Sequence, residues 1–259
     1  MVREWTDWRD AALSFADDAD QITLAAFRQH GAVDTKQDGS WVTACDLETE
    51  QRIRAAITHA FPDHSILGEE DGVTQGDPDA PTWVIDPIDG TANFVSGNPI
   101  FATLIAVRVD GQEVASVISA PALTTRFDAI RDAGSHQDGR NIAVSETTTI
   151  ADAEVSFGGL SHFVTASQQP LVNALVAQSR RTRGYGDFWQ HCLVAAGSTD
   201  IAIDAEAKLW DLAAVKLLVE SAGGRFTALD GTARADAGSG VSSNGYLHDA
   251  VLALATRGE

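Results

Sequence analysis

Carboxylates stand at the ends of three apolar runs: Glu69 and Glu70 in SILGEED, Asp86 and Asp89 in WVIDPIDGT, and Asp211 in KLWDLAAVKLLVESAGG. At such ends side chains can turn into a cleft. Hard divalent cations such as Mg²⁺ take oxygen ligands, and carboxylates from separate segments can share them. In Asp86-Pro87-Ile88-Asp89, proline fixes φ and lacks an N–H, which stiffens the turn and makes the Ile88 carbonyl a further candidate ligand. Gly90 lets a backbone come close and Thr91 opens a short helix. Helix N-termini attract anions, so a phosphate over Gly90-Thr91 would face the cations. Each acid also has a plainer alternative. Asp46 and Asp211 suit helix N-caps, Glu69-Glu70 an acidic loop, and Asp89 a turn before Gly90. Their common placement favours one site over several coincidences.

The elements that must position these residues follow from periodicity. Trp8, Ala12, Phe15, Ala19, Ile22 and Ala26 recur at helical spacing and predict an opening amphipathic helix. Asp46 is a candidate N-cap for a second helix running to about His59, with Glu48 and Glu50 in its first turn favoured by the helix dipole and Pro62 enforcing its end. Ser65–Leu67 and Thr82–Ile85 read as strands, and Phe101–Val109 and Glu113–Ser119 as a hairpin through Asp110-Gly111. Beyond Gly139 strands (Glu154–Phe157, Arg181–Gly184, Ile201–Ile203, Arg225–Thr227) alternate with helices (Leu171–Gln178, Phe188–Ala196, Asp211–Ala222, Asp249–Ala255). Gly223-Gly224 stops the third of these helices. The pattern predicts layered α and β elements in two lobes: residues 1–138, α+β, carry most of the candidate ligands, and residues 139–259, more α/β, carry the last.

A chain of 259 residues with 44% apolar content can bury a substantial core. No segment is long and apolar enough to span a bilayer, and the acidic, amphipathic N-terminal stretch does not resemble a signal peptide, so a cytoplasmic protein without a membrane partner is expected. Lys and Arg total 18 against 37 Asp and Glu, a formal charge of -19 that repels phosphate backbones and argues against a nucleic-acid partner. Any anionic substrate then needs a local cation, which bound metal would supply. Two cysteines, Cys45 and Cys192, make neither a disulfide framework nor a metal spacing.

The strings GEE, WVIDPIDGT and LWDLAAVKLLVESAGG together resemble the signature set of the Mg²⁺-dependent inositol monophosphatase family, over nearly the whole chain from Val42–Asp46 to Ser242–Asp249. The resemblance implies a layered αβαβα sandwich, phosphomonoesterase activity on a small-molecule phosphate ester, and a homodimer. It assigns Glu69, Asp86 and the Ile88 carbonyl to one Mg²⁺ and Asp86, Asp89 and Asp211 to a second, with a third, weaker ion near Glu69. Thr91 would pair with Asp46 to orient the attacking water, and the Gly90 and Thr91 amides would grip the phosphate. Lys36, one of only three lysines, lies in a loop where the family often carries a basic residue that folds over the metals; a solvated loop lysine is the alternative.

RGYGDF, with VISAPAL and NGYLHD, is similar to the histidinol-phosphate phosphatase branch of the family. That similarity places Gly186 and Asp187 in the substrate pocket. Asp204, seven residues before Asp211, matches an acidic position that contacts the alcohol in inositol phosphatases. The branch carries Glu there, so Asp shortens the reach by one methylene. Asp187 and Asp204 would suit a cationic amino alcohol, although Asp187 also reads as a cap for a helix beginning at Phe188. The rivals are an inositol-1-phosphatase or sugar-phosphate phosphatase on the same fold, and a regulatory dimer without activity. A phosphatase with Asp86 as covalent nucleophile needs an acid two residues on, where Ile88 stands.

Overall fold

The computed structural model describes residues 2–29, 33–36 and 41–256. The loop positions 37–40 that accompany Lys36 lie outside the described residues. Two compact units divide the chain between Arg131 and Asp132.

In the first unit, helix α1 (Val2–Ala26) and the short strands β1 (Val33–Thr35) and β2 (Trp41–Thr43) precede helix α2 (Ala44–Ala60). Strands β3 (Ser65–Gly68), β4 (Gly72–Thr74) and β5 (Thr82–Asp89), helix α3 (Thr91–Val95), and strands β6 (Ala102–Val109), β7 (Gln112–Ala120) and β8 (Thr125–Ile130) follow. The sheet runs β8-β7-β6-β5-β3-β4, antiparallel except for the β3–β5 pair. The apolar stripe of α1 (Ala12, Phe15, Ala16, Ala19) and Ile53 and Ile57 of α2 pack on Trp83, Ile85, Ile105, Val107 and Val117 of this sheet. The hairpin β6–β7 forms through Asp110-Gly111, both at positive φ, as the Asp-Gly dipeptide predicts.

Strand β5 does not end at Ile85. It continues through Pro87 to Asp89 because β6 pairs with it past a bulge: Asp86 faces Leu104 and Asp89 faces Ala102, so that Pro87 and Ile88 on one strand stand against Thr103 alone on the other. Proline is tolerated in a strand at such a bulge, and the Pro87 carbonyl accepts the Thr103 hydroxyl at 2.8 Å.

The second unit contains strands β9 (Gly134–Gln137), β10 (Arg140–Asn141) and β11 (Glu154–Phe157), helices α4 (Leu160–Thr165) and α5 (Gln169–Gln178), strand β12 (Arg181–Arg183) and helix α6 (Asp187–Ala195). Strand β13 (Ile201–Asp204), helix α7 (Leu209–Ser221), strands β14 (Arg225–Thr227) and β15 (Gly240–Ser243), and helix α8 (His248–Ala255) complete it. Its sheet runs β12-β11-β13-β15-β14, parallel among the first three strands and antiparallel at β15 and β14. Alternation sorts its faces. Val155, Phe157, Ile201, Ile203 and Val241 pack with α5 and α8. Ser156, Ala202 and Ser242, register partners across three strands, face the other way. Helices α6 and α7 pack together.

Candidate active site

In a regular strand, residues three apart point to opposite faces. The β5 bulge inserts one residue between Asp86 and Asp89, so both face the same side. Each brings a carboxylate oxygen within 4.8 Å of the other's, and both are buried. The Ile88 amide donates to Asp86 Oδ1 at 3.0 Å, which closes the turn. The Ile88 carbonyl is not left bare: it accepts the Thr91 hydroxyl at 3.0 Å and keeps one further lone pair for a ligand.

Asp46 is not the cap of α2. Thr43 is the N-cap, and Asp46 sits three residues later as the return partner in a capping box. Asp46 Oδ2 accepts the Thr43 amide at 2.8 Å and the Thr43 hydroxyl at 2.6 Å. Oδ1 is left facing the Thr91 hydroxyl at 3.3 Å. Thr91 has a single proton to divide between Asp46 and the Ile88 carbonyl. Burial pushes the fully enclosed Asp46 carboxyl up, against the hydrogen bonds from Thr43 that hold it down. Gly90, at φ 82°, caps α3 and delivers the chain from β5 into the helix that Thr91 opens.

Glu69 follows β3, its amide donating to the Ile85 carbonyl at 3.2 Å. Its carboxyl interacts with that of Asp86, and burial pushes it up. Glu70 rises to about 7, through burial first, with Glu69 adding to the rise. Lys36 resolves the crowding: its ammonium donates to Glu69 Oε1 and Glu70 Oε1, both at 2.7 Å. Burial alone would lower the lysine, but these two bonds outweigh it and raise it. A solvated loop lysine does not describe this geometry.

The turn that presents Glu69 is held by Glu50, which the sequence places in the first turn of its helix but which lies a turn further on, because α2 begins at Ala44. Glu50 is 0% exposed. Its carboxylate accepts the Glu70 amide at 2.8 Å, the Asp71 amide at 2.9 Å and Arg54 Nε at 2.7 Å, while Arg54 also donates to the Gly72 carbonyl. A Cβ on Gly68 would stand 2.3 Å from Glu50 Oε1, so the glycine of GEE is required by the clamp. The Glu50–Arg54 spacing of four along α2 was the available sequence signal.

Among the second unit's candidates, Asp211 is likewise not a cap: α7 begins at Leu209, and Asp211 Oδ2 accepts the Lys208 amide at 2.6 Å. Gly186 is the N-cap of α6, with φ 72° and ψ 174°, a region essentially restricted to glycine. Asp187 is the first helical residue, at φ 48°. Solvent reaches Asp187, yet desolvation by surrounding protein and then the Asp204 charge push its carboxyl up to about 6, with His191 acting in the opposite sense. Asp204 ends β13, its side chain 14% exposed. Asp204 Oδ2 accepts from His191 at 2.7 Å and from Gln190 at 2.9 Å. Neither of these residues was singled out from the sequence, although Gln-His inside the apolar helix DFWQHCLVAA is a departure that calls for buried partners.

The fold matches that of the Thermotoga maritima inositol monophosphatase, with a TM-score of 0.89 at 29% identity over 97% of this chain and 98% of that one. This is the layered α/β architecture of the inositol monophosphatase type. A histidinol-phosphatase of Mycobacterium tuberculosis is 41% identical over 93% of this chain and 95% of the relative. Another from Streptomyces coelicolor is 40% identical over 92% of both. Residues 4–258 match the profile of the inositol monophosphatase family, and the chain belongs to that family. Like these relatives it is a phosphoric monoester hydrolase. No helix among the described residues is long and apolar enough to cross a membrane.

Proposed function

We propose that the chain is a Mg²⁺-dependent phosphomonoesterase that hydrolyses L-histidinol phosphate to L-histidinol and phosphate. The observation that carries the reading is the β5 bulge, which turns Asp86 and Asp89 to one side. The donors fit a hard divalent cation: two buried carboxylates, the half-buried Glu69 and a backbone carbonyl, in a cluster that already draws the Lys36 ammonium. From the family resemblance, Glu69, Asp86 and the Ile88 carbonyl hold one Mg²⁺. Asp86, Asp89 and Asp211 hold a second, and a third, weaker ion belongs near Glu69. Bound there, Mg²⁺ supplies Lewis acidity and brings the pKa of water from about 15.7 towards about 7.

The remaining work falls to side chains and amides. Thr91 and Asp46, with Glu69, orient the attacking water and take its proton. The Gly90 and Thr91 amides hold the phosphate oxygens. The ester P–O bond breaks as the new one forms, and the leaving oxygen is protonated. Asp187 and Asp204 pair with the cationic amino alcohol. The Asp187 carboxyl, raised first by burial and then by the Asp204 charge, supports a subsite that favours a cation. The similarity to two histidinol-phosphatases supports the same choice of substrate. The resemblance carries a cytoplasmic homodimer, acting in histidine biosynthesis, as part of this proposal.

The test compares kcat/KM for histidinol phosphate and inositol 1-phosphate in Mg²⁺, with and without chelator. A clear preference for histidinol phosphate, lost on chelation, is expected. Asp86→Asn should lower kcat about a thousandfold, in keeping with the several kcal/mol that metal-ion stabilisation supplies. Comparable values for both esters would point instead to an inositol-1-phosphatase or a broad sugar-phosphate phosphatase. No turnover of either would point to a regulatory dimer.

A further inference from the structure

We infer that His191 and Gln190 are positioning residues for substrate selection: with Ser156 and Ser242 they fix the Asp204 carboxylate so that Oδ1 is presented to the cationic part of the leaving group. The inference rests on the reading of Asp204 as a leaving-group contact. Its basis is a directed chain of hydrogen bonds in the second unit. The Tyr185 amide donates to Ser156 Oγ at 3.1 Å, so the Ser156 proton goes to Gln190 Oε1 at 2.9 Å. That bond turns the Gln190 amide nitrogen towards Asp204 Oδ2, at 2.9 Å. From the other side, His191 Nε2 donates to the same oxygen at 2.7 Å, and the opposite ring edge is held by Ser242 Oγ, 2.7 Å from Nδ1.

Sheet alternation makes this convergence possible. Ser156, Asp204 and Ser242 lie on three neighbouring strands and share the face that meets α6. Ser156, Gln190 and Ser242 are 0% exposed and His191 1%. Four enclosed polar side chains in an otherwise apolar layer are costly unless every partner is satisfied. Here both chains end on one oxygen. Among the described residues none donates to Asp204 Oδ1, which rests against Gly158, where a Cβ would stand 1.8 Å away. The two donors and the bare glycine together leave the carboxylate a single orientation. This also answers the missing methylene: a shorter acid that is held rigidly can present one oxygen at a defined point.

The experiment measures kcat/KM for histidinol phosphate and for the neutral-alcohol ester inositol 1-phosphate in Asp204→Asn, His191→Leu, His191→Gln and the His191→Leu/Asp204→Asn double variant, all in Mg²⁺. His191→Leu should lower the ratio between the two esters roughly tenfold, mainly through KM for the cationic ester, as expected for losing one charge-assisted hydrogen bond. His191→Gln, which keeps a donor near the Nε2 position, should recover most of it. The double variant should lose no more selectivity than Asp204→Asn alone, because both changes act through one carboxylate. If Asp204→Asn loses selectivity while His191→Leu keeps it, or if the losses add, the positioning role is overturned and the reading of Asp204 stands. If Asp204→Asn itself keeps selectivity, that reading fails and the inference with it. Should His191→Leu not fold, Ser242→Ala, which removes one hydroxyl, must move the ratio in the same direction; an unchanged ratio overturns the inference.

Discussion

Replacing Glu50 with glutamine exchanges one oxygen for an amide nitrogen and leaves the side-chain volume almost unchanged. The carboxylate accepts three donors: the amides of Glu70 and Asp71 and Arg54 Nε, all between 2.7 and 2.9 Å. A glutamine amide group can satisfy only one side of that set. With its nitrogen in the Oε2 place it confronts the Glu70 N–H; in the Oε1 place it confronts both Asp71 and Arg54. Even the better orientation loses one hydrogen bond, sets two donors against each other, and strips the mostly buried Arg54 of its counter-charge. Breaking one partner out of a buried pair costs about 3–5 kcal/mol, and the lower end applies here because Arg54 keeps its bonds to the Gly72 carbonyl and Thr74. Urea denaturation should therefore register a loss of about 3 kcal/mol. The turn that carries Glu69 loosens with the clamp, so Mg²⁺ affinity, followed by calorimetric titration, should fall roughly tenfold, as when support behind a metal ligand is removed. A destabilised protein with unchanged Mg²⁺ affinity would mean that Glu50 braces only α2 against β4. An unchanged protein on both counts would refute the clamp altogether.

Two further outcomes follow from titrating groups away from the proposed ligands. His248 is fully buried between Thr227 and Ser243, each 2.9 Å from a ring nitrogen, and burial first, then Arg225, lower its pKa from 6.5 to about 4, against Asp249. Because the unfolded chain binds the proton more readily, this contribution is complete above pH 6.5 and is lost as pH falls towards about 4. It amounts to about 3 kcal/mol at about 1.4 kcal/mol per pH unit, and His248→Gln should flatten that part of the stability profile. Asp187 is raised, so its ionisation works against the fold as pH rises from 3.8 to about 6. Asp187→Asn, which also suits the positive φ, should raise Tm more at pH 7.5 than at pH 4 while weakening selection for the cationic ester.

Local signals were enough for the elements whose pattern is their own. The α1 stripe, the Asp-Gly hairpin and the helix opened by Thr91 all appear where the sequence predicts them. What escaped prediction was decided by partners far along the chain. Nothing in Ile85-Asp86-Pro87 says that a strand continues; pairing with Ala102 decides it. Strand β15, Gly-Val-Ser-Ser, has almost no apolar pattern because one face answers to His191 and the other to His248. Glu50 lies beyond the first turn, because α2 begins at Ala44, and it is buried because the backbone of Glu70 and Asp71 offers it partners. The capping box at Thr43 was legible: a threonine three residues before an acid is its signature. Choosing Asp46 as the cap overlooked that the same carboxylate could serve both Thr43 and Thr91.

The two groups of carboxylates are kept in place by different means, and the difference bears on what each can bind. At Glu69 and Glu70 an ammonium offsets much of the charge, on a lysine whose neighbouring residues make no bond to the glutamates among the described residues. A divalent cation entering there competes with a single side chain and replaces one positive charge by two. At Asp204 the bonds come from an amide and an imidazole inside the fold, which orient the carboxylate. Burial first, and then the neighbouring Asp204 charge, make Asp187 hold its proton more tightly. A cation bound between them would release that proton and relieve the repulsion in one step. Binding of a cationic alcohol should therefore strengthen as pH rises through about 6, and a neutral one should not.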